Sequence, residues 1–171
     1  DGSWVKSSSK QKYQEGKNAR SYDLVMQIRV EEINRADTSK RTTKLLEWKM
    51  LSEKKTRSIS GYNPAAFLVT SASFFNTIGA QLVPDQTIYR RLVDFDMHLY
   101  GISEEIYNYI SVNKPSIGIV QKKPEYTNVT NGFGIFGSRH VNPFLNRKFA
   151  AETRQAVMQS ERTEDLGFVS Y

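Results

Sequence analysis

Polar and apolar residues alternate with period two in three stretches of this chain, and one further stretch repeats every three to four residues. In the first, Tyr22, Leu24, Met26, Ile28 and Val30 fall on one face while Asp23, Gln27, Arg29 and Glu31 fall on the other. That period over this length predicts a strand with one buried side. Asn34 to Arg41 reads as a polar loop, and Thr42 to Leu51 as a returning strand with Leu46, Trp48 and Met50 inward. Together they predict a long hairpin whose turn is wider than a two-residue type. The third alternating stretch runs from Tyr89 to Leu99, with Tyr89, Val93, Phe95, Met97 and Leu99 on one side.

Asn63-Pro64 predicts a helix start, because Asn caps helices and Pro suits the first helical position. Phe67, Leu68, Ser71, Phe74, Phe75, Ile78 and Leu82 then make an amphipathic stripe ending near Gln81, which suits core packing against a sheet. Ser103 caps a short helix running through Glu104 and Glu105 to about Ser111, its early acids matching the helix dipole. Pro115 stops it, and residues 113–130 read as an extended loop. A glycine-spaced strand over 131–139 follows, then a final helix from Asn146 to Ser160. Residues 1–20 read as a short strand near Trp4 and a mobile loop. The sum is an α+β fold with a mostly antiparallel, sandwich-like sheet, one long packed helix and short C-terminal helices. It forms a single domain over 1–171, with 140–171 as a C-terminal extension.

With 171 residues, the chain can bury roughly 70% of its unfolded surface and needs no metal or disulfide to hold a core. No apolar run approaches the ~20 residues of a membrane-spanning helix. Asp1 stands where an initiator Met would be, so a processed form or fragment is expected, with any anchor or export signal outside it. The absence of cysteine removes disulfides, thiol catalysis and cysteine-ligated metals. Two histidines, His98 and His140, leave little for a zinc site. The formal charge of +6 lies wholly in the N-terminal third. Since no block of five like charges occurs and no aromatics interleave with a basic cluster, it is assigned to loops and wet strand faces, and no nucleic-acid partner is expected.

Gly132, Gly134 and Gly137 match G-x-G-x-x-G. A dinucleotide site needs a strand before the glycines and a helix immediately after them, whereas Ser138 to Pro143 is strand- or turn-like. The glycines are therefore expected to mark a bulge or the close approach of another segment. Asn128-Val129-Thr130 fits the N-glycosylation pattern, with nothing else pointing that way. Asp94, Asp96 and His98, at i, i+2 and i+4, could join Glu104 and Glu105 in a hydrolase pair or metal site. The plainer expectation is a solvated strand face opposite Val93, Phe95 and Met97. Tyr100, Tyr107, Tyr109 and Tyr126 cluster mid-chain, where exposed rings could stack on sugars or meet a protein.

Four segments occur in a distinctive order: Asn18-Ala19-Arg20-Ser21-Tyr22, Leu45-Leu46-Glu47-Trp48, the run from Tyr109 to Val129, and the run from Asn131 to Arg139. Over roughly residues 18–139 the chain resembles the C-terminal part of lipid-anchored envelope proteins of Gram-negative bacteria, a group known as domains of unknown function. The most specific part begins Val112-Asn113-Lys114-Pro115-Ser116 and continues through Tyr126-Thr127-Asn128 to Ser138-Arg139. Ala19-Arg20-Ser21-Tyr22 also resembles the opening of a fibronectin type III strand, with Trp4 a partner tryptophan; the helix at 63–82 departs from that pattern. The resemblance implies periplasmic or cell-surface, outer-membrane-associated residence, with membrane attachment only through a lipid anchor outside this chain. It implies a non-enzymatic structural, adhesive or ligand-presenting role toward an envelope protein or glycan, and supplies no catalytic residue, metal or cofactor. A glycan- or peptide-binding module using Tyr107, Tyr126 and Arg139 is the first alternative. A hydrolase using Asp94, Asp96 and His98 with Glu104 and Glu105 is the second.

Overall fold

The structure, a computed structural model, describes residues 8–14, 18–55, 64–113 and 126–170, and for 8–14, 53–55 and 64–68 the backbone alone. It is an α+β fold around a mostly antiparallel sheet of four strands. These are β2 (Ser21–Asn34), β3 (Arg41–Lys55), β5 (Ile88–Ile102) and β6 (Arg139–Arg147), in the order β3-β2-β5-β6. A separate pair joins β1 (Ser8–Gln14) to β4 (Pro64–Thr70). The helices are α1 (Ser71–Gln81), α2 (Glu104–Asn113) and α3 (Ala151–Gln159).

The β2–β3 hairpin follows the sequence pattern. Tyr22, Leu24, Met26, Ile28 and Val30 are buried on one face, and Leu46 and Trp48 join them from β3, with Met50 half-buried. The turn spans 35–40, where the Asn34 side chain accepts N–H groups from Ala36 and Asp37, an Asx-type turn. Phe74 and Ile78 of α1 and Val157 of α3 pack on this same face, together with Leu82, Phe149, Leu166 and Phe168. Residues after Arg139 thus supply four members of the core.

Several expectations need correction. The helix does not start at Asn63-Pro64: Pro64 to Thr70 pairs with Ser8 to Gln14 as a strand, and Asn63 lies outside the described residues. The helix begins after Thr70, whose hydroxyl oxygen caps the Ser73 N–H at 3.2 Å. Pairing with a segment fifty or more residues upstream overrides the local helical stripe. The same pairing makes part of the lead segment a strand instead of a mobile loop; Trp4 lies outside the described residues. The segment 131–139 is not a glycine-spaced strand. Residues 126–138 form a loop, with positive φ at Asn131 and Gly134, and the strand begins at Arg139. Helix α3 starts at Ala151 instead of Asn146, because Asn146 still belongs to β6 and takes a left-handed φ of 53°. Residues 114–125, most of the expected long loop, lie outside the described residues.

The alternation along β5 is also corrected. Arg29 pairs with Asp94 but the next residue, Val30, pairs with Leu92, so Val93 is the extra residue of a bulge. Upstream of it Arg90 and Leu92 are buried, in place of Tyr89 and Val93; downstream Phe95 reaches the core and Met97 packs against it. Arg90, 1% exposed, becomes a core residue. Its guanidinium bonds the Glu32 carboxylate at 2.8–2.9 Å and donates to the carbonyls of Leu166 and Val83 at 2.7 and 2.9 Å. The backbone of Arg90 also pairs with Gly167 and Val169. One side chain therefore ties β2, β5, the segment after α1 and the C-terminal tail into one network.

Candidate functional site

The outer face of the sheet carries the charged residues singled out by the sequence. Cross-strand pairing sets Asp94 beside Arg29 and Asp96 beside Gln27. The Arg29 guanidinium bonds the carboxylates of both Asp94 and Asp96, with Nη1 and Nη2 at 2.7 and 3.0 Å from the Asp96 oxygens. Asp94, expected to be solvated, is instead buried. Asp96 also accepts the backbone N–H of Asn146 at 2.6 Å. That N–H sits where β6 slips register, since Phe95 pairs with Arg147 and Met97 with Phe144. Asp96 thus satisfies a backbone donor that the ladder leaves over, and Arg29 braces Asp96 from the other side. Lys148 adds a longer contact to Asp94 at 3.4 Å.

This arrangement holds Asp96 and Arg29 in their charged forms. Above all the hydrogen bond from Arg29, and then that from the Asn146 backbone, pull the Asp96 carboxyl down to about 2 against an opposing desolvation. The Arg29 guanidinium is correspondingly raised, chiefly by Asp96. A carboxylate with so low a pKa lies far from the near-neutral range that proton transfer uses. His98 stays on this face and stacks with Tyr100, ring centroids 6.1 Å apart. Glu104 and Glu105 sit beyond the end of β5, in the first turn of α2, where a bond from Ser103 lowers the Glu105 carboxyl. Among the described residues, no group of three His, Asp or Glu is arranged to hold a metal ion. What the cluster does is pin β6 to the sheet.

Of the proposed ligand contacts, Arg139 lies over the ring of Tyr100, 3.9 Å from its centroid. The two line a polar groove of about 290 Å³ on the outer face, with Gln27, Lys49 and Ser52. Tyr107 and Tyr126 are half-buried and are not part of that groove. A second pocket, about 300 Å³, opens on the inner face at the same end of the sheet. Tyr22, Leu99 and Gly101 form its apolar side, and Ser103, His140 and Asn142 its polar side.

The loop 126–138 is the feature that the sequence reading misplaced. Asn128 anchors it from both ends of its amide: Nδ2 donates to the Phe136 carbonyl and Oδ1 accepts the Phe136 N–H, each at 2.7 Å. The Asn128 amide nitrogen is therefore committed to the loop, and a glycan attached there would break that bond. Thr127 accepts the Val129 N–H and donates to the Gly132 carbonyl. At Gly137 a Cβ would lie 2.6 Å from Ile106 Cγ1, so the loop approaches α2 as only glycine allows; the expectation of a close approach holds at this position. Ser103 and Ser138 close the contact, exchanging bonds at 3.0 and 3.2 Å. On this braced loop Phe133 and Phe136 are 89% and 83% exposed. A strand reading sends Phe133 and Phe136 to opposite faces of a sheet and gives no signal that both rings are exposed on a loop.

Comparison with protein families, curated proteins and solved structures finds no match to this chain, so its site is read from its own residues.

Proposed function

We propose that this chain is a non-enzymatic domain of a Gram-negative cell-envelope lipoprotein, sandwich-like in the fibronectin or immunoglobulin manner, whose role is to present a fixed surface to a partner. The single observation that carries the presenting role is the braced loop with Phe133 and Phe136 held in water. Ordering a loop with side-chain bonds while leaving its largest apolar groups unburied contributes little to folding, so the arrangement serves contact with something else. Of the acids that chemistry would need, Asp94 and Asp96 are instead occupied by Arg29, and Glu104 and Glu105 lie beyond the end of β5 in α2. The sandwich-like reading is supported by Val69 of the small sheet, which enters the core of the large one. Envelope residence rests on the family resemblance. Its test is to express the chain behind its own upstream coding sequence in a Gram-negative cell supplied with labelled palmitate. Label in the envelope fraction is expected; unlabelled protein in the cytosol contradicts the envelope reading.

One observation favours a glycan- or peptide-binding module as a second reading: Arg139 stacked on Tyr100 beside a polar groove. A stacked guanidinium and ring offer a flat face with hydrogen-bond donors at its rim. A glycan that raises the melting temperature of the wild type, and fails to do so for Arg139→Ala, is the expected result. Equal shifts in both proteins would remove Arg139 from the reading.

A further inference from the structure

We infer that the edge formed by residues 126–148 docks on an anionic lipid bilayer, with Phe133 and Phe136 entering the headgroup boundary. The inference rests on the reading of this edge as the presenting surface, and it adds a membrane contact made by the chain itself, apart from any lipid anchor.

Two independent features meet here. From Tyr126 through Ala151 the chain contains no Asp or Glu, while Arg139, Arg147 and Lys148 lie within it. Across the sheet, Asp94 and Asp96 are matched by Arg29 together with Lys148, which leaves Arg139 and Arg147 as the cations of this edge that no carboxylate among the described residues pairs. The described residues include ten exposed large hydrophobics, and six of them fall between Val129 and Leu145. Single exposed apolar residues are ordinary; their concentration on one loop and the following edge strand is what marks a surface.

Charge and shape select the occupant. A second copy meeting this edge about a twofold axis would set Arg139 and Arg147 against the same cations of the other copy. Strand addition along β6 is impeded by Pro143, which has no N–H to donate in the middle of the edge. An acidic protein would satisfy the cations, but two rings this far out of the surface would need deep preformed pockets in it. A bilayer takes in an apolar wedge without one, and its anionic headgroups attract the flanking cations, each worth roughly a fivefold gain in binding.

The test is co-sedimentation of the whole chain with phosphatidylcholine vesicles, with and without phosphatidylglycerol as roughly a third of the lipid. Binding only to the phosphatidylglycerol vesicles is expected. It should fall about tenfold or more in Phe133→Ser/Phe136→Ser and weaken in high salt. Binding that is the same in wild type and double variant, or absent from both, overturns the lipid inference. Sedimentation velocity gives a separate arm: a wild-type dimer that becomes monomeric in the double variant assigns the edge to self-association and also overturns it. A photoreactive residue at position 133 separates this from the broader reading. Crosslinks to an envelope protein, with no vesicle binding, would keep the presenting role while removing the lipid.

Discussion

The two ends of the four-stranded sheet are finished in opposite ways. At the end where β5 begins, the C-terminal tail wraps Arg90, and each guanidinium nitrogen has a partner. At the end where β5 stops and β6 begins, a pocket opens, and buried Arg20 Nε and Ser21 Oγ have no hydrogen-bond partner among the described residues. There too the loop before β6 holds two phenylalanines in water. One end spends its polar groups on closing the core; the other leaves surface open. Under the proposed presenting role, stability and contact are separable in this molecule, and substitutions at the two ends should act on different measurements.

The largest effect is expected at Arg90. Among the described residues, Arg90→Met leaves Glu32 buried with Lys44, 3.3 Å away, as its remaining ion-pair partner. It should cost about 3–5 kcal/mol in urea unfolding, the range for breaking a buried ion pair from one side. Arg90→Met combined with Glu32→Leu should recover much of that loss, since the uncompensated charge is then gone. A loss under about 1 kcal/mol for the single variant would show that the network is not what closes this end.

Gly137→Ala comes next. Its Cβ would fall 2.6 Å from Ile106 Cγ1 and 3.1 Å from Ser103 Oγ, so the loop must lift from α2 at a cost of about 1–3 kcal/mol. Hydrogen exchange should speed up at Ser103 and Ser138, and Ile106→Ala should restore part of the protection. Unchanged exchange would place the bracing elsewhere.

Asp96→Asn is smaller and depends on pH. The folded Asp96 carboxyl lies at about 2, below the ~3.9 of an unfolded aspartate. Its contribution is thus complete above about pH 4 and is lost as pH falls toward 2. With Arg29 partly in solvent, that contribution is about 1 kcal/mol at neutral pH. The variant should lose this much at pH 7, and the difference from wild type should vanish near pH 2. A difference that persists there would mean that the packing of Asn146, and not the charge, holds β6.

The hairpin was legible from sequence because period two persists from Tyr22 to Val30, through most of β2. Helix α1 was half legible. The stripe through Phe74, Ile78 and Leu82 is real, but its upstream continuation is a strand paired with residues far away in sequence, which a local period does not register. The face of β5 was misread because one bulge residue, Val93, inverts the alternation, and a reading in strict phase places Arg90 in solvent. The loop at 126–138 carried the motif of a nucleotide site and the spacing of a strand. Its true role depends on the Asn128 bonds and on the approach of α2, both tertiary. Of the candidate contacts named from sequence, Arg139 lies over Tyr100, two strand positions before the Ile102 with which Arg139 pairs.

The most direct measurement compares the two ends in one urea series: wild type, Arg90→Met, and Phe133→Ser/Phe136→Ser. The double variant should unfold within about 0.5 kcal/mol of wild type, as surface positions do, while Arg90→Met loses several. Equal losses in both would mean that the two phenylalanines belong to the core, and the separation of a closed end from a presented one would fail.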